Sequence, residues 1–230
     1  MSLGQEKVND KSNEITAIPI LLESLEIENC RVTIDAMGCQ TDIAEKIIEK
    51  KADYILQVKD NQKELKEQVS KVFKKQKSKN EHIDYDLGHG RAEIRQCRVI
   101  DDLQFLDDKE NWKGLRTIIE IRSEVIQKKT GQKTENFRYY ISSAEANSKQ
   151  MNEDIRAHWA IENNLHWNLD VIFKEDLQLK RKGNTVENFN MIIKMALSLI
   201  EAETTYKKSK PLKRLKASID DRYREILMKV

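Results

Sequence analysis

A chain of 230 residues is long enough for one sizeable core, and one elaborated domain is the expectation. With 35% charged and 39% hydrophobic residues, only seven Gly and two Pro, its composition excludes fibrous and disordered classes and favours a soluble, helix-leaning globular fold. A formal net charge of +2 excludes a global basic field, so any nucleic-acid binding has to come from local patches.

The elements read in chain order as follows. Ile15, Ile18, Leu22 and Leu25 recur at helical spacing, which predicts a helix from about Thr16 with Pro19 in its first turn, where a missing N–H is tolerated. Cys30-Arg-Val-Thr-Ile-Asp35 is a short β-branched run, read as a buried strand that stops at a turn at Ala36-Met-Gly38. Asp42-Ile-Ala-Glu45 has the form of a capping box opening a helix through about Lys51. Asp53–Lys59 is the next strand, and strand–helix–strand predicts a parallel α/β unit. Asn61 to about Lys79 reads as an outer helix with a sparse apolar stripe of Leu65, Val69, Val72 and Phe73.

The middle of the chain changes character. Arg91–Ile100, Leu115–Ile126 and Thr134–Ser142 show β-branched alternation between polar turns, which predicts an antiparallel β insertion. Helices follow over Ser148–Asn163 and on through Phe173, over Val186–Thr204, and, after Pro211, over one amphipathic segment using Leu212, Leu215, Ile219, Tyr223 and Ile226. The expected divisions are 4–80, 81–146, 147–205 and 206–230. The three cysteines, Cys30, Cys39 and Cys97, form no C-x-x-C pair and fit a reducing cytoplasm. No run approaches a membrane span and the N-terminus lacks a signal-peptide pattern, so no membrane partner is expected.

Two acids are candidates for chemistry. Asp35 ends a strand of an α/β sheet, at the rim where such folds place ligands, and equally suits a residue that caps a turn. Glu162 follows His158 and precedes His166 at i, i+4 and i+8, so the three share one helix face beside the apolar stripe Ile161, Leu165 and Leu169. His158, Glu162 and His166 match zinc ligands in type, and equally match the polar edge of a core helix between Trp159 and Trp167. Taken together, the carboxylates of Asp35 and Glu162 are hard oxygen ligands suited to Mg²⁺ or Mn²⁺ and to two-metal phosphoryl transfer. Lys59 and Asn61 after a strand end, and His89-Gly90-Arg91 at a turn, are placed either to approach a DNA backbone or simply to be solvated. Lys180-Arg-Lys182 and Lys207-Lys-Ser-Lys210 are basic clusters, either phosphate-binding or solubilising.

Lys11–Pro19, Val32-Thr-Ile-Asp-Ala-Met-Gly-Cys-Gln40, Lys59-Asp-Asn-Gln62, His89-Gly-Arg91 and the run from Ile155 through Asp176 together resemble the H-repeat-associated group of DDE-type insertion-sequence transposases. The resemblance extends from about Gly4 to Leu199. It implies an α/β fold: a ribonuclease H-like core, incomplete at its N-terminus, with an antiparallel β insertion and C-terminal helices. It also implies DNA transposition in a bacterial cytoplasm, with Asp35 and Glu162 as the second and third of three acids binding Mg or Mn. The implied partners are double-stranded DNA at transposon ends and target, and a second copy of the chain in a homodimer. Arg156, His158, Lys59, Asn61, His89 and Arg91 would lie near DNA.

Two departures from the family pattern stand out. The first catalytic Asp normally lies on an upstream strand followed by Gly-Lys, and no such segment precedes Ser12. The expectation is therefore a truncated transposase, inactive alone, or a decayed one that only binds DNA or self-associates. In addition, the Tyr-x2-Arg-x3-Glu-x6-Lys signature registered on Glu162 puts Ile155, His158 and Leu169 at its other positions. Arg156 is left as the candidate phosphate contact.

Overall fold

The computed structural model describes residues 14–88, 90–107, 109–161, 167–174 and 185–229. They form two compact units, one ending at His158 and the other beginning at Trp159.

The first unit is built on a single six-stranded sheet: β1 (Arg31–Ile34), β2 (Asp53–Val58), β3 (Asn80–Gly88), β4 (Arg91–Ile100), β5 (Thr117–Gln127) and β6 (Lys133–Ser142), in the order β1-β2-β6-β5-β4-β3. β1 and β2 are parallel, with Val32 beside Tyr54, and α2 (Thr41–Glu49) makes the crossover, as strand–helix–strand patterning requires. β2 then pairs antiparallel with β6, Leu56 beside Ile141, so the β insertion extends the core sheet. Helices α1 (Glu14–Ser24), α3 (Lys63–Lys75) and α4 (Ser148–Ile161) complete the unit. A mixed, mostly antiparallel α/β sheet with flanking helices is consistent with the ribonuclease H-like fold implied by the resemblance.

Alternation along the strands sorts the two faces. Tyr54, Leu56 and Val58 of β2, with Ile118 and Ile141, pack against Ile43 and Ile47 of α2 and the expected α3 stripe Leu65, Val69, Val72 and Phe73. The residues between them, Ile55, Cys97, Val99, Ile119 and Ile121, are also buried and face the other way. That second face receives α4, through hydrogen bonds from its Asn152 to β3 and β4.

Several local expectations are corrected. α3 stops at Lys75, short of the expected end near Lys79, and Asn80–Gly88, for which no element was expected, is the strand β3. Its apolar side chains Tyr85 and Leu87 are each 73% exposed, so side-chain burial does not make this strand. Ladder pairing with β4 from Asn80–Val99 to Gly88–Arg91 does. The capping box is absent: Gln40 precedes α2 without a side-chain cap, and Glu45 reaches Lys113 at 2.8 Å instead. β1 is half-buried rather than buried, since among the described residues it is an edge strand. Pro19 lies beyond the first described turn of α1, and the end of that helix is held by Lys50, whose ammonium donates to the carbonyls of Leu22, Glu23 and Leu25 at 2.8 Å each.

In the second unit a short π-helical segment, Leu169–Phe173, joins α5 (Thr185–Ala202), α6 (Lys210–Ile219) and α7 (Asp221–Leu227). They pack around Leu169, Phe173, Ile193, Leu197, Ile200 and Tyr223. The single C-terminal helix expected after Pro211 is two helices, broken at Asp220, whose carboxylate caps α7 by accepting from the Tyr223 amide at 3.1 Å. The break divides the expected stripe: Tyr223 is buried, whereas Leu212, Leu215 and Ile219 face outward. Glu203 is buried at the centre, where it accepts from the Tyr223 hydroxyl at 2.8 Å and the Tyr206 amide at 2.8 Å and pairs with Lys213 at 3.1 Å. No helix among the described residues is long and apolar enough to cross a membrane.

Candidate functional site

β1 ends at Ile34, and the next residue is Asp35. Its Oδ1 accepts the Met37 amide at 3.2 Å, so the carboxylate both stands at the strand end and closes the turn. The turn is tight because Gly38 lies over the strand: a Cβ there would sit 2.3 Å from Ile34 Cγ2 and 2.9 Å from Ile18 Cδ1. Only glycine allows so close an approach.

The loop is held from the side by the segment after β2. Asn61 donates to the carbonyl of Ala36 at 2.6 Å, and Gln62 donates to the carbonyl of Cys39 at 2.9 Å. The two sequence motifs Val32–Gln40 and Lys59–Gln62 are thus one assembly, in which the 3-10 turn Asp60–Gln62 supplies two amides to the loop that carries Asp35. Asn61, expected near DNA, is turned onto the protein backbone. Lys59 is exposed. No local pattern marks Gln62 for this role, because the acceptor it serves is 23 residues away.

α4 meets the same strand. Arg31 Nε lies 2.9 Å from Asp154 Oδ2, an ion pair without hydrogen-bond alignment, and Thr33 Oγ1 lies 3.1 Å from His158 Nδ1. Two residues along β1 correspond to four along α4, about 6.6 Å of strand against about 6 Å of helix, so strand and helix run side by side in register.

The other end of α4 is locked to the β insertion. Asn152, fully buried, donates to Asp84 at 2.6 Å and accepts from Arg95 Nε at 2.7 Å. His82 Nε2 lies 3.0 Å from the second oxygen of Asp84. Burial lowers the pKa of the Arg95 guanidinium. Arg156, expected at a phosphate, pairs with Asp86 at 2.7 Å, both about half exposed. Asn152 escaped sequence reading since nothing in its neighbourhood distinguishes it from a solvated helix residue.

Arg91 opens β4 and is exposed. His89, Glu162 and His166 lie outside the described residues, as does the basic cluster Lys180–Lys182. Among the described residues no group of three His, Cys, Asp or Glu is placed to hold a metal ion.

The Transposase DDE domain profile matches residues 1–199. "Putative transposase YncI" of Escherichia coli O157:H7 is 42% identical over 231 aligned residues, covering 97% of this chain and 59% of that protein. "H repeat-associated putative transposase YhhI" of Escherichia coli strain K12 is 41% identical over 232, covering 96% of this chain and 60% of that protein. The chain therefore spans about three fifths of the length of these relatives. With the profile matched over most of its residues, the chain belongs to the transposase DDE domain family.

Proposed function

We propose that this chain forms part of a DNA transposase and contributes Asp35 and Glu162 as carboxylate ligands of a divalent-metal site for strand cleavage and transfer at transposon ends. The observation that carries this reading is the register between β1 and α4. Arg31 faces Asp154 and Thr33 faces His158, so α4 is held along the strand that Asp35 follows; Glu162 lies outside the described residues and is assigned from the resemblance.

Mg²⁺ or Mn²⁺ suits the donors, which are hard oxygens. Asp35 is half-buried and commits one oxygen to a turn amide, leaving the other for an ion. Held by these carboxylates, a divalent ion would supply activation of a water or 3′-hydroxyl and charge stabilisation at the leaving oxygen. The chain's own contribution is positional: Asn61 and Gln62 fix the loop behind Asp35, and Thr33 with Arg31 fixes the face of α4. Double-stranded DNA is the substrate in this reading, within a bacterial cytoplasm.

Mn²⁺ binding to the purified chain, followed by electron paramagnetic resonance, tests the site. Asp35→Asn and Glu162→Gln should each abolish it. Equal binding by wild type and both variants would overturn the assignment.

A second reading, a self-associating module, is favoured by the outward Leu212, Leu215 and Ile219 stripe of α6, each residue 47–77% exposed. The occupant would be the same stripe of a second copy, making a homodimer. Sedimentation equilibrium of wild type against Leu215→Glu decides it: a wild-type monomer removes this reading.

A further inference from the structure

The hairpins β3/β4 and β5/β6 end at the same edge of the sheet, far along the strands from Asp35. Arg91 of β4 stands beside Gln127 of β5, and the Lys128 amide donates to the Gly90 carbonyl at 3.0 Å. Folding therefore gathers Arg91, Lys128 and Lys129, which are nearly forty positions apart in sequence, onto one pair of touching turns. All three are exposed, and none has a carboxylate partner among the described residues.

The acids nearby are already engaged. Glu124 pairs with Lys133 at 3.4 Å and Arg122 at 3.6 Å, Glu135 pairs with Arg122, and Asp86 pairs with Arg156. Glu93, two residues along β4 from Arg91, acts electrostatically on Arg95. The turns are also sterically open: a Cβ added at Gly90 or Gly131 would meet nothing within 4 Å. Three cations held on backbone-rich turns, with unobstructed approach, suit a row of phosphates rather than a single small anion.

We infer that the joined hairpin tips, through Arg91, Lys128 and Lys129, form a docking surface for the sugar-phosphate backbone of double-stranded DNA. Four strands abreast at about 4.8 Å spacing make a tip roughly 14 Å wide, too broad to enter a major groove of about 12 Å. The tip therefore bridges phosphates flanking a groove and carries no base readout. This inference rests on the DNA-acting reading above, and it adds a contact surface remote from the carboxylates.

The test compares the full chain with an Arg91→Gln/Lys128→Gln/Lys129→Gln variant and a charge-matched control, Lys109→Gln/Lys113→Gln/Arg116→Gln, whose cations are each paired with an acid. Binding to a short random-sequence duplex is measured by fluorescence anisotropy across a salt series, after equal melting temperatures establish that all three fold. The tip variant should bind at least about tenfold more weakly at low salt, with a slope of log Kd against log salt shallower by about 2–3, roughly 0.9 per lost phosphate contact. The control should keep the wild-type slope. Unchanged binding by the tip variant, or equal loss in variant and control, overturns the docking surface while leaving the Mn²⁺ result for Asp35 untouched. A wild-type chain that binds no duplex overturns the docking surface and the DNA reading together.

Discussion

The side-chain amide of Asn61 donates to the carbonyl of Ala36 at 2.6 Å, immediately beyond Asp35. The position of that carboxylate is therefore set from the segment after β2 as well as by its own strand. Asn61→Ala removes a part-buried donor and should destabilise the first unit by about 1 kcal/mol. Mn²⁺ affinity should fall more than stability does, because the loop loses its fixed geometry while Asp35 remains. Paired urea titrations and Mn²⁺ titrations check this. A variant with lowered stability and unchanged Mn²⁺ affinity would show that Asn61 does not position Asp35.

Asn152 and Arg156 both join α4 to β3, but they should differ sharply in worth. Asn152 is fully buried between Asp84 and Arg95, and Asn152→Leu strands two charged groups without their shared amide. The expected cost is about 2–3 kcal/mol. The Arg156–Asp86 pair is about half exposed, so Arg156→Gln should cost under about 1 kcal/mol after screening. Urea unfolding of the two variants gives the comparison, and equal costs would contradict it.

Acid should loosen the second unit through Glu203. The Thr205 hydroxyl, the Tyr206 amide, the Tyr223 hydroxyl and Lys213 hold its carboxyl well below the usual range, against the opposing effect of burial. A carboxylate with a depressed folded pKa contributes stability that is present above the unfolded value, about 4.3, and is lost as pH falls through the folded value. Glu203→Gln should therefore be less stable than wild type at pH 7, and the gap should narrow as pH falls below about 4. Thermal melts followed by circular dichroism measure the gap. A gap independent of pH would mean that charge is not what Glu203 supplies.

Thiol chemistry separates the cysteines. Cys39 and Cys97 are fully buried, and burial pushes each thiol up to about 12. Cys30 is exposed. A thiol reagent at pH 8 should modify one cysteine in the native chain and all three after unfolding, since the thiolate is the reactive form. Rapid modification of more than one in the native state would contradict the packing around α2 and β4.

Much of the fold was legible because periodicity is local. The parallel pair β1/β2 followed from two apolar runs around a helix, and the α3 stripe from four residues at helical spacing. Asp35 at the strand end was likewise readable from its β-branched run. Where reading failed, the deciding partner was distant. β3 is a strand because β4 lies beside it, although its apolar residues stay exposed. The C-terminal helix breaks at Asp220 because capping α7 leaves Tyr223 free to pack against Glu203 and the α5 core.

The sequence by itself determined the family, the alternation of elements and the two carboxylates worth testing, since these depend on residue type and on spacing within one element. Tertiary structure alone decided that Asn61 serves Ala36, that Thr33 meets His158 and that Lys128 joins Gly90. Each of these is a hydrogen bond or close contact between segments at least 25 residues apart. Such contacts depend on sheet order and helix register, which no local pattern encodes.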